Sequence, residues 1–446
     1  MSHAKRPTSS ILFVLLCLSS TFFSAVTAAQ TLNIYGSNTI GSRLAPALAV
    51  GLLLSQKTPL DDIQTTFTDN QHTITTHLES QSSSVRIDIH TQGSSTGFAA
   101  LHDQSADIAA ASRPIKDSEA NLLHELGDMH NKNAEHVIAI DGLAIIVHRD
   151  NPIQELSTEQ LAAIFSGELS DWSMLGAPAG PIHIYARDNN SGTWETFKDI
   201  VLSPADKALS QVAQRFESSE TLSDSVSNDP NGIGFIGLPY VRQAKAVAVS
   251  DSDTMAMHPS KELIATEDYP LSRRLYLYSP EHVSNPLAQA YLAFAQSDAG
   301  QNLVESNGFI SQTVSAMPVV VNDSMPLQYQ QLAQNAQRLS VNFRFKEGSA
   351  QLDNKAQRDI ERVLAYLRTH NKTNDKLVLV GFGDSKSEPE RARLLSKLRA
   401  LAVRRQLHNK DIIFREVIGI GDAMPVANNS IDQGRLKNRR VELWVY

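Results

Sequence analysis

One arrangement occurs three times in the first half of the chain: a short strand-like run, then a turn rich in Gly, Ser, Thr and Asn, then the start of a helical run. The strand-like runs are 31–35, 85–91 and 182–186. The helical runs that follow are 40–54 and those beginning at residues 98 and 194. Strands that alternate with helices predict an α/β fold, with mainly parallel sheets and helices on both faces.

The three turns have the chemistry of an oxyanion site. A helix N-terminus offers unpaired N–H groups, glycine allows close approach, and Ser or Thr hydroxyls add donors. Ser and Thr are also the usual helix caps, so one such turn alone is weak support. The third turn adds Arg187, four residues before Ser191, and an arginine can offer a two-pronged donor to phosphate. Because no Gly-Lys-Ser/Thr follows, a nucleotide site is not indicated.

Residues 30–310 resemble the phosphate-binding proteins of bacterial phosphate ABC transporters (PstS-like). The matching segments occur in the family's order and are 36–40, 93–97, 107–114, 141–147, 161–167, 187–193, 232–237 and 269–273. The resemblance implies a two-lobed type II periplasmic binding protein that clamps its ligand between the lobes. It places phosphate near Thr39, Ile40, Ser94, Ser112, Arg187, Ser191, Gly192 and Thr193.

Ser112 departs from the family pattern, in which many members have an aspartate that accepts the phosphate proton and repels sulfate. Serine cannot repel an anion in that way, so selectivity between phosphate and sulfate stays open. Arg113 is a candidate contributor. Asp88 and Asp107 are candidate acceptors, although solvated or capping roles are the simpler interpretation of both.

The N-terminus has the order of a cleaved secretory signal peptide. Lys5 and Arg6 precede an apolar run over 11–23, and small residues follow up to residue 29. We therefore expect residues 1–28 to be removed, together with Cys17, which is the single cysteine. The expected location is the periplasm, in association with the cell wall or outer membrane, and we expect no transmembrane segment in the mature chain.

Charge divides the mature chain into two parts. Residues 29–325 carry 16 Lys and Arg against 35 Asp and Glu, a net charge of −19, whereas residues 326–446 carry 22 against 13, a net charge of +9. Such asymmetry predicts two domains with different partners. We expect the first domain over 29–310, a linker over 311–337 and a smaller α+β domain over 338–446, with the order β-α-β-α-β-β.

The second domain resembles the OmpA-like C-terminal domain, which binds peptidoglycan. The matching segments are 343–345, 381–384, 395–400, 419–425, 428 and 438–442. The resemblance implies that Asp384 and Arg399 grip the diaminopimelate of the stem peptide, with help from Arg439. Opposite charges suit its ammonium and carboxylate groups. The family's usual His-Thr is replaced by Phe382-Gly383, and its Asn by Ala392, which removes two expected hydrogen bonds.

Taken together, the residues and the two resemblances imply a non-enzymatic receptor for inorganic phosphate or a similar oxyanion that is tethered to peptidoglycan. The resemblance adds an ABC transporter permease as a candidate partner. No catalytic residue, metal ligand or cofactor is expected, and a nucleic-acid partner is not indicated despite the basic second domain. The alternative is a wall-anchored envelope or adhesion protein that uses the phosphate-binding fold as a scaffold.

Overall fold

A computed structural model describes Met1 and residues 30–446, apart from 69, 79–82, 190, 346–350 and 385–387. Apart from Met1, the expected signal peptide lies outside the described residues, as does Cys17. Within the part of the chain that is described, no helix combines the length and apolar character needed to cross a bilayer.

The first domain contains twelve strands and ten α-helices within the described ranges. The strands are β1 (Gln30–Gly36), β2 (Gln64–Thr68), β3 (Gln71–Leu78), β4 (Ser83–Thr91), β5 (Ile108–Ala111), β6 (Glu135–Val147), β7 (Glu155–Ser157), β8 (His183–Arg187), β9 (Gln214–Phe216), β10 (Gly232–Gly237), β11 (Lys245–Ser250) and β12 (Ser272–Tyr278). The helices are α1 (Asn38–Gly41), α2 (Leu44–Ser55), α3 (Ser94–His102), α4 (Asp117–Leu122), α5 (Thr158–Ser166), α6 (Gly192–Phe197), α7 (Ser219–Ser227), α8 (Lys261–Ala265), α9 (Pro286–Gln296) and α10 (Asp298–Ser306).

The expected helix over 40–54 is two helices, because α1 ends at Gly41 and α2 starts at Leu44. Gly41 packs closely on β4: a Cβ added to it would lie 2.4 Å from the Thr91 side chain. Leu44, Leu48 and Leu52 have helical spacing, which predicts one apolar face, and this prediction is confirmed because all three are buried in α2.

The sheet of this domain is mixed, rather than mainly parallel as expected. Its strand order is β2-β3-β4-β1-β5-β12-β6-β10-β8-β9, with β11 beside β6 and β7. Parallel pairs such as β1–β4 and β8–β10 follow the predicted strand–turn–helix units. The long strands β6 and β12 instead run antiparallel to their neighbours, a pattern that local periodicity does not distinguish.

The domain has two lobes, and β6 and β12 connect one lobe with the other. The first part of β6 pairs with β12 beside β5, while residues 143–147 pair with β10 and β11. One core gathers Leu32, Ile34 and Leu48 of the first lobe, and a separate core gathers Ile145, Phe165 and Phe235 of the second. The domain is therefore two α/β lobes joined by crossing strands.

The second domain has its own five-stranded sheet, in the order β13-β14-β17-β15-β16. Its strands are β13 (Ala316–Met317), β14 (Gln337–Arg344), β15 (Asn374–Phe382), β16 (Ile413–Gly421) and β17 (Arg440–Val445), and its helices are α11 (Leu327–Asn335), α12 (Asn354–Thr369), α13 (Pro389–His408) and α14 (Asp432–Asn438). Asp353-Asn354 predicts the capped start of a helix, and α12 begins there: the Asp353 carboxylate accepts from the Ala356 N–H at 2.7 Å.

Helical spacing predicts that Leu395, Leu398 and Ala402 of α13 face inward, but the helix buries a different face. Leu398 is exposed, and the face against the sheet carries small residues such as Ser396 and Ala400. A Cβ added to Gly381 would lie 2.0 Å from the Ser396 carbonyl oxygen, so helix and strand are too close for larger residues. The close approach of backbone to backbone, and not leucine spacing, therefore selects the buried face.

Residues 311–337, where a linker is expected, include β13 and α11, and both pack on the second domain. Strand β13 pairs with β14. Tyr329 of α11 is buried against Trp444 and donates its hydroxyl proton to the Glu442 carboxylate at 2.9 Å. The segment thus adds structure to the second sheet.

The second domain meets the second lobe through buried charges. Asp268 accepts from the Arg338 guanidinium at 2.6 Å and from the Asn342 amide at 2.9 Å. Its neighbour Glu267 lies 3.3 Å from the guanidinium of Arg344. Carboxylates of the acidic domain thus neutralise cations of the basic one where the two parts touch.

The same domain also touches the first lobe at the start of β6. Arg358 donates to the backbone carbonyl of Glu135 at 2.9 Å, and the Asn354 amide donates to the Glu135 carboxylate at 3.1 Å. The side chain of Gln312, in the connecting segment, donates to the Val137 carbonyl at 2.7 Å. The second domain is therefore docked against both lobes.

Candidate functional site

The three Gly/Ser/Thr turns meet where the lobes face each other. Strands β1 and β4 are parallel neighbours, so the turns that follow them emerge at one edge of the sheet. The turn after β8 approaches from the second lobe. A Cβ added to Gly192 would lie 2.3 Å from the Thr39 Cα, a distance that only glycine permits. Donors of both lobes thus converge on one place.

Serine hydroxyls and one carboxylate form the centre of this region. The Ser37 hydroxyl caps α1 by accepting from the Thr39 N–H at 3.2 Å. The Ser94 hydroxyl lies 3.2 Å from that of Ser112 and accepts from the Ser112 N–H at 3.1 Å. Glu195 of α6 accepts from Ser37 at 3.3 Å and from Ser94 at 3.2 Å, and so joins the second lobe to the first.

Arg273 lies beside this serine group. Its guanidinium donates to the Thr39 hydroxyl at 2.7 Å and to the Gly192 carbonyl at 3.1 Å. Its Nε is 3.6 Å from the carboxylate of Asp141, and its Nη1 is 3.9 Å from that of Asp199. Burial lowers the pKa of Arg273, although these carboxylates act in the opposite direction. A buried cation is thereby held at the contact between the lobes.

The guanidinium of Arg187 is engaged with the second lobe. It donates to the carbonyls of Phe216, at 3.2 Å, and Glu217, at 2.7 Å, and to the hydroxyl of Ser219. Burial lowers its pKa. These bonds hold the segment after β9, and no described hydrogen bond joins Arg187 to Ser191 or to the serine group.

The other residues expected near the ligand occupy different positions around the same turns. Ser191 caps α6 by accepting from the Trp194 N–H at 3.5 Å. Thr193 lies in the first turn of α6 and is partly exposed. The Ile40 side chain is fully buried in the first lobe's core, so only its backbone can face a ligand.

Arg113 is bound within the first lobe. Its two terminal nitrogens donate to the two oxygens of Glu119 at 2.8 and 2.7 Å, and one of them also donates to the Ser95 hydroxyl at 2.8 Å. The Glu119 carboxylate raises the pKa of Arg113. This pairing occupies the face of the guanidinium that would suit an oxyanion.

The two aspartates considered as acceptors hold the first lobe together. Asp88 lies on β4 and accepts from Arg86 at 2.6 Å and from the Thr73 hydroxyl at 2.6 Å. Asp107 accepts from the Asn33 N–H at 2.8 Å and the Asn285 amide at 2.9 Å. Neither residue has the solvated or capping role considered for it, because Asp88 is buried and paired within the sheet and Asp107 is bonded to β1 and to Asn285.

The second domain brings together the three residues expected to bind diaminopimelate. Asp384 follows β15 and is buried, the Arg439 guanidinium lies 3.3 Å from its carboxylate, and that of Arg399 lies 3.9 Å away. Asp384 does not cap α13, which begins at Pro389 with Glu388 at its N-cap. Burial lowers the pKa of Arg399, with Asp384 acting in the opposite direction.

The residues that depart from the OmpA pattern have structural roles nearby. Phe382 is buried, and the guanidinium of Arg440 stacks on its ring at 3.9 Å. A Cβ added to Gly383 would lie 3.3 Å from Nη1 of Arg399, so glycine leaves room for that side chain. Ala392 is buried where α13 packs on the sheet.

Sequence reasoning missed Glu195 and Arg273 as members of the site between the lobes. Arg273 ends a segment that matches the phosphate-binding family, so a signal was present although no role was assigned to it. Glu195 carried no local signal beyond its position four residues after Ser191. Its contact with Ser37 joins positions 158 residues apart and depends on how the lobes meet.

Comparison with known proteins places both parts of the chain in families. A family model described as "PBP superfamily domain" matches residues 58–299. The phosphate-binding protein PstS of Staphylococcus saprophyticus is 32% identical over 236 residues, which cover 51% of this chain and 72% of that protein. The chain belongs to the PstS family. PstS of Pseudomonas aeruginosa is 33% identical over 243 residues, covering 51% of this chain and 74% of that protein.

A solved structure supports the fold of this PstS-family part. The structure of a possible phosphate binding protein from Planctomyces limnophilus matches with a TM-score of 0.50 at 22% identity, covering 69% of this chain and 97% of that one. The two-lobed α/β part is a type II periplasmic binding protein fold, as expected. An OmpA family model matches residues 344–439, so the chain also carries an OmpA domain.

Proposed function

We propose that this PstS-family protein captures inorganic phosphate, or a similar oxyanion, between its two lobes and does not transform it. The observation that carries the proposal is the contact of Gly192 with Thr39 beside the serine hydroxyls, because it gathers donors from both lobes around one place. The names of the PstS relatives support phosphate as the ligand.

The proposed phosphate ligands are donors from three turns and one strand end. Hydroxyl and backbone N–H groups suit an anion that is bound without a metal. An arginine has five N–H donors, and the three described bonds of Arg187 leave some of them for a ligand. The proposed set is Thr39, Ile40, Ser94, Ser112, Arg187, Ser191, Gly192 and Thr193.

Isothermal titration calorimetry of the mature chain with phosphate, sulfate and arsenate tests this proposal. We expect heat and thermal stabilisation with phosphate, and at least about tenfold weaker binding after Ser94→Ala, since a hydrogen bond to a charged group contributes about 1.5–3 kcal/mol. Ser166→Ala, which removes a hydroxyl bonded to a carbonyl of its own helix, is the matched control. If phosphate causes neither heat nor a thermal shift, the result contradicts phosphate capture. It then supports the alternative, an envelope or adhesion protein that uses the fold as a scaffold.

We propose that the OmpA domain tethers the receptor to peptidoglycan. The carboxylate of Asp384 suits the free ammonium group of diaminopimelate, and Arg399 and Arg439 suit its carboxylate. Their proximity around one buried aspartate supports this assignment. A tether would hold the receptor at the wall and raise its local concentration there without any new contact to phosphate.

This function requires export to the periplasm and a protein that receives the ligand. The signal-like residues 1–28 support export, and membership of the PstS family supports delivery to an ABC transporter permease. Fractionation of cells that express the full chain tests export to the periplasm. Chemical crosslinking in spheroplasts tests contact with a permease.

A further inference from the structure

We propose that the carboxylate of Glu195 is the hydrogen-bond acceptor that makes the site select a protonated oxyanion, an inference that rests on the proposed capture of phosphate. Hydrogen phosphate carries a P–OH group that must donate a hydrogen bond, whereas sulfate at neutral pH has none. A fixed carboxylate in the site therefore favours the first ion and repels the second.

The acceptor is needed because the other proposed ligands are mainly donors. Backbone N–H groups and guanidinium groups cannot accept at all. Ser112 directly follows β5, and its hydroxyl lies 3.2 Å from that of Ser94. A hydroxyl can accept but does not repel sulfate. Without a carboxylate, the site would bind the two anions with little discrimination.

Glu195 has the position that this role requires. Its two oxygens contact the hydroxyls of Ser37 and Ser94, which belong to two different turns of the first lobe. The residue itself stands in α6, directly after the Ser191-Gly192 turn of the second lobe. Closure of the lobes on an anion therefore brings this carboxylate against the ligand's first-lobe donors.

The other carboxylates near the site are engaged elsewhere. Asp141 accepts from the Thr196 hydroxyl at 3.1 Å and faces Arg273. Asp199 is more than a third exposed and lies 3.9 Å from the same guanidinium. Asp88 and Asp107 are bonded within the first lobe. Among the described residues, Glu195 is the carboxylate bonded to the serine group.

Competition between the oxyanion and Glu195 for the serine protons would have the opposite effect on phosphate affinity. A hydroxyl donates one hydrogen bond, so an oxyanion that takes the protons of Ser37 and Ser94 must displace Glu195. If that competition dominates, neutralising Glu195 strengthens binding of every oxyanion equally. If Glu195 accepts from the P–OH group, neutralisation weakens phosphate binding and strengthens sulfate binding.

Calorimetric titration of the full mature chain with phosphate and with sulfate separates the two cases. We expect Glu195→Gln to weaken phosphate binding about tenfold or more, to strengthen sulfate binding, and so to reduce their affinity ratio by more than tenfold. Glu159→Gln, at an exposed position of α5, makes the same change in net charge and is expected to leave both affinities unchanged.

Two results would overturn the proposal: an unchanged affinity ratio in Glu195→Gln, or equal strengthening for both anions. Glu195→Asp, which keeps the charge but shortens its reach, serves if the first variant does not fold, and is expected to lower the ratio less. A wild-type chain that binds no phosphate would instead refute the proposed function itself, and one that binds both anions equally would refute the role of Glu195 alone.

Discussion

The guanidinium of Arg338 in the OmpA domain lies 2.6 Å from the carboxylate of Asp268 in the PstS-family domain, and both side chains are almost fully buried. Burial would raise the pKa of Asp268, but Arg338 and the nearby Arg440 and Arg344 hold it below its usual range. Carboxylates of the acidic domain thus pair with arginines of the basic domain at this contact, and the second domain is docked against the first.

Removing the cation of this pair should destabilise the protein strongly. Arg338→Met leaves the Asp268 carboxylate buried without its main partner, and breaking a buried pair in this way costs about 3–5 kcal/mol. Urea denaturation followed by circular dichroism measures the loss. Arg405→Met, on an exposed part of α13, is the control. A loss below about 1 kcal/mol, the range of surface pairs, would mean that water reaches the contact.

Lowering the pH should weaken the contact between the OmpA domain and the first lobe, because His136 of β6 lies at this contact. Burial, followed by the positive charge of Arg358, lowers the pKa of His136 to about 4. In the unfolded chain, the pKa of a histidine is about 6.5. The unfolded chain therefore gains a proton before the folded one does, and stability present at neutral pH is lost as the pH falls from about 6.5 to about 4.

Unfolding free energies of the wild type and His136→Gln at pH 7 and pH 5 measure this effect. We expect the wild type to lose about 2 kcal/mol more than the variant between these pH values. The exposed residue His258, changed to Gln, is the matched control for loss of an imidazole. Equal losses in the wild type and His136→Gln would contradict the prediction.

A side chain at position 192 should block the approach of the lobes. The Cβ of Gly192→Ala would lie 2.3 Å from the Thr39 Cα, which forces the two turns apart. We expect phosphate binding to weaken about tenfold or more, because the donors of the two lobes no longer converge. Gly237→Ala, whose Cβ would meet its nearest neighbour at 3.6 Å, is the control. Calorimetry that finds equal affinity in both variants would argue against lobe closure at this contact.

Peptidoglycan binding should depend on the buried aspartate and its arginines. Asp384→Ala removes the proposed acceptor for the ammonium group, and Arg399→Ala removes the donor to the carboxylate, so both variants should fail to sediment with purified peptidoglycan. Arg405→Ala, on the same helix as Arg399, should sediment normally. Circular dichroism verifies that each variant is folded, and unchanged sedimentation of both site variants would refute the proposed tether.

Local patterns predicted much of the fold. The alternation of strands with helices, the apolar face of α2 and the Asp353 cap of α12 follow from periodicity and hydrogen-bonding chemistry within a few residues, and the structure contains them. The buried face of α13 was predicted wrongly, because the approach of Ser396 to Gly381 depends on two elements that are distant in sequence.

By itself, the sequence determined that this protein has an acidic α/β part, a basic α+β part and turns rich in hydroxyl donors. These properties are local, since each depends on composition or on neighbours within one or two helical turns. Only the tertiary structure decided that Glu195 meets Ser37 and Ser94, and that Asp268 meets Arg338. Such contacts arise from the crossing of strands between lobes and from the docking of domains, which no local period encodes.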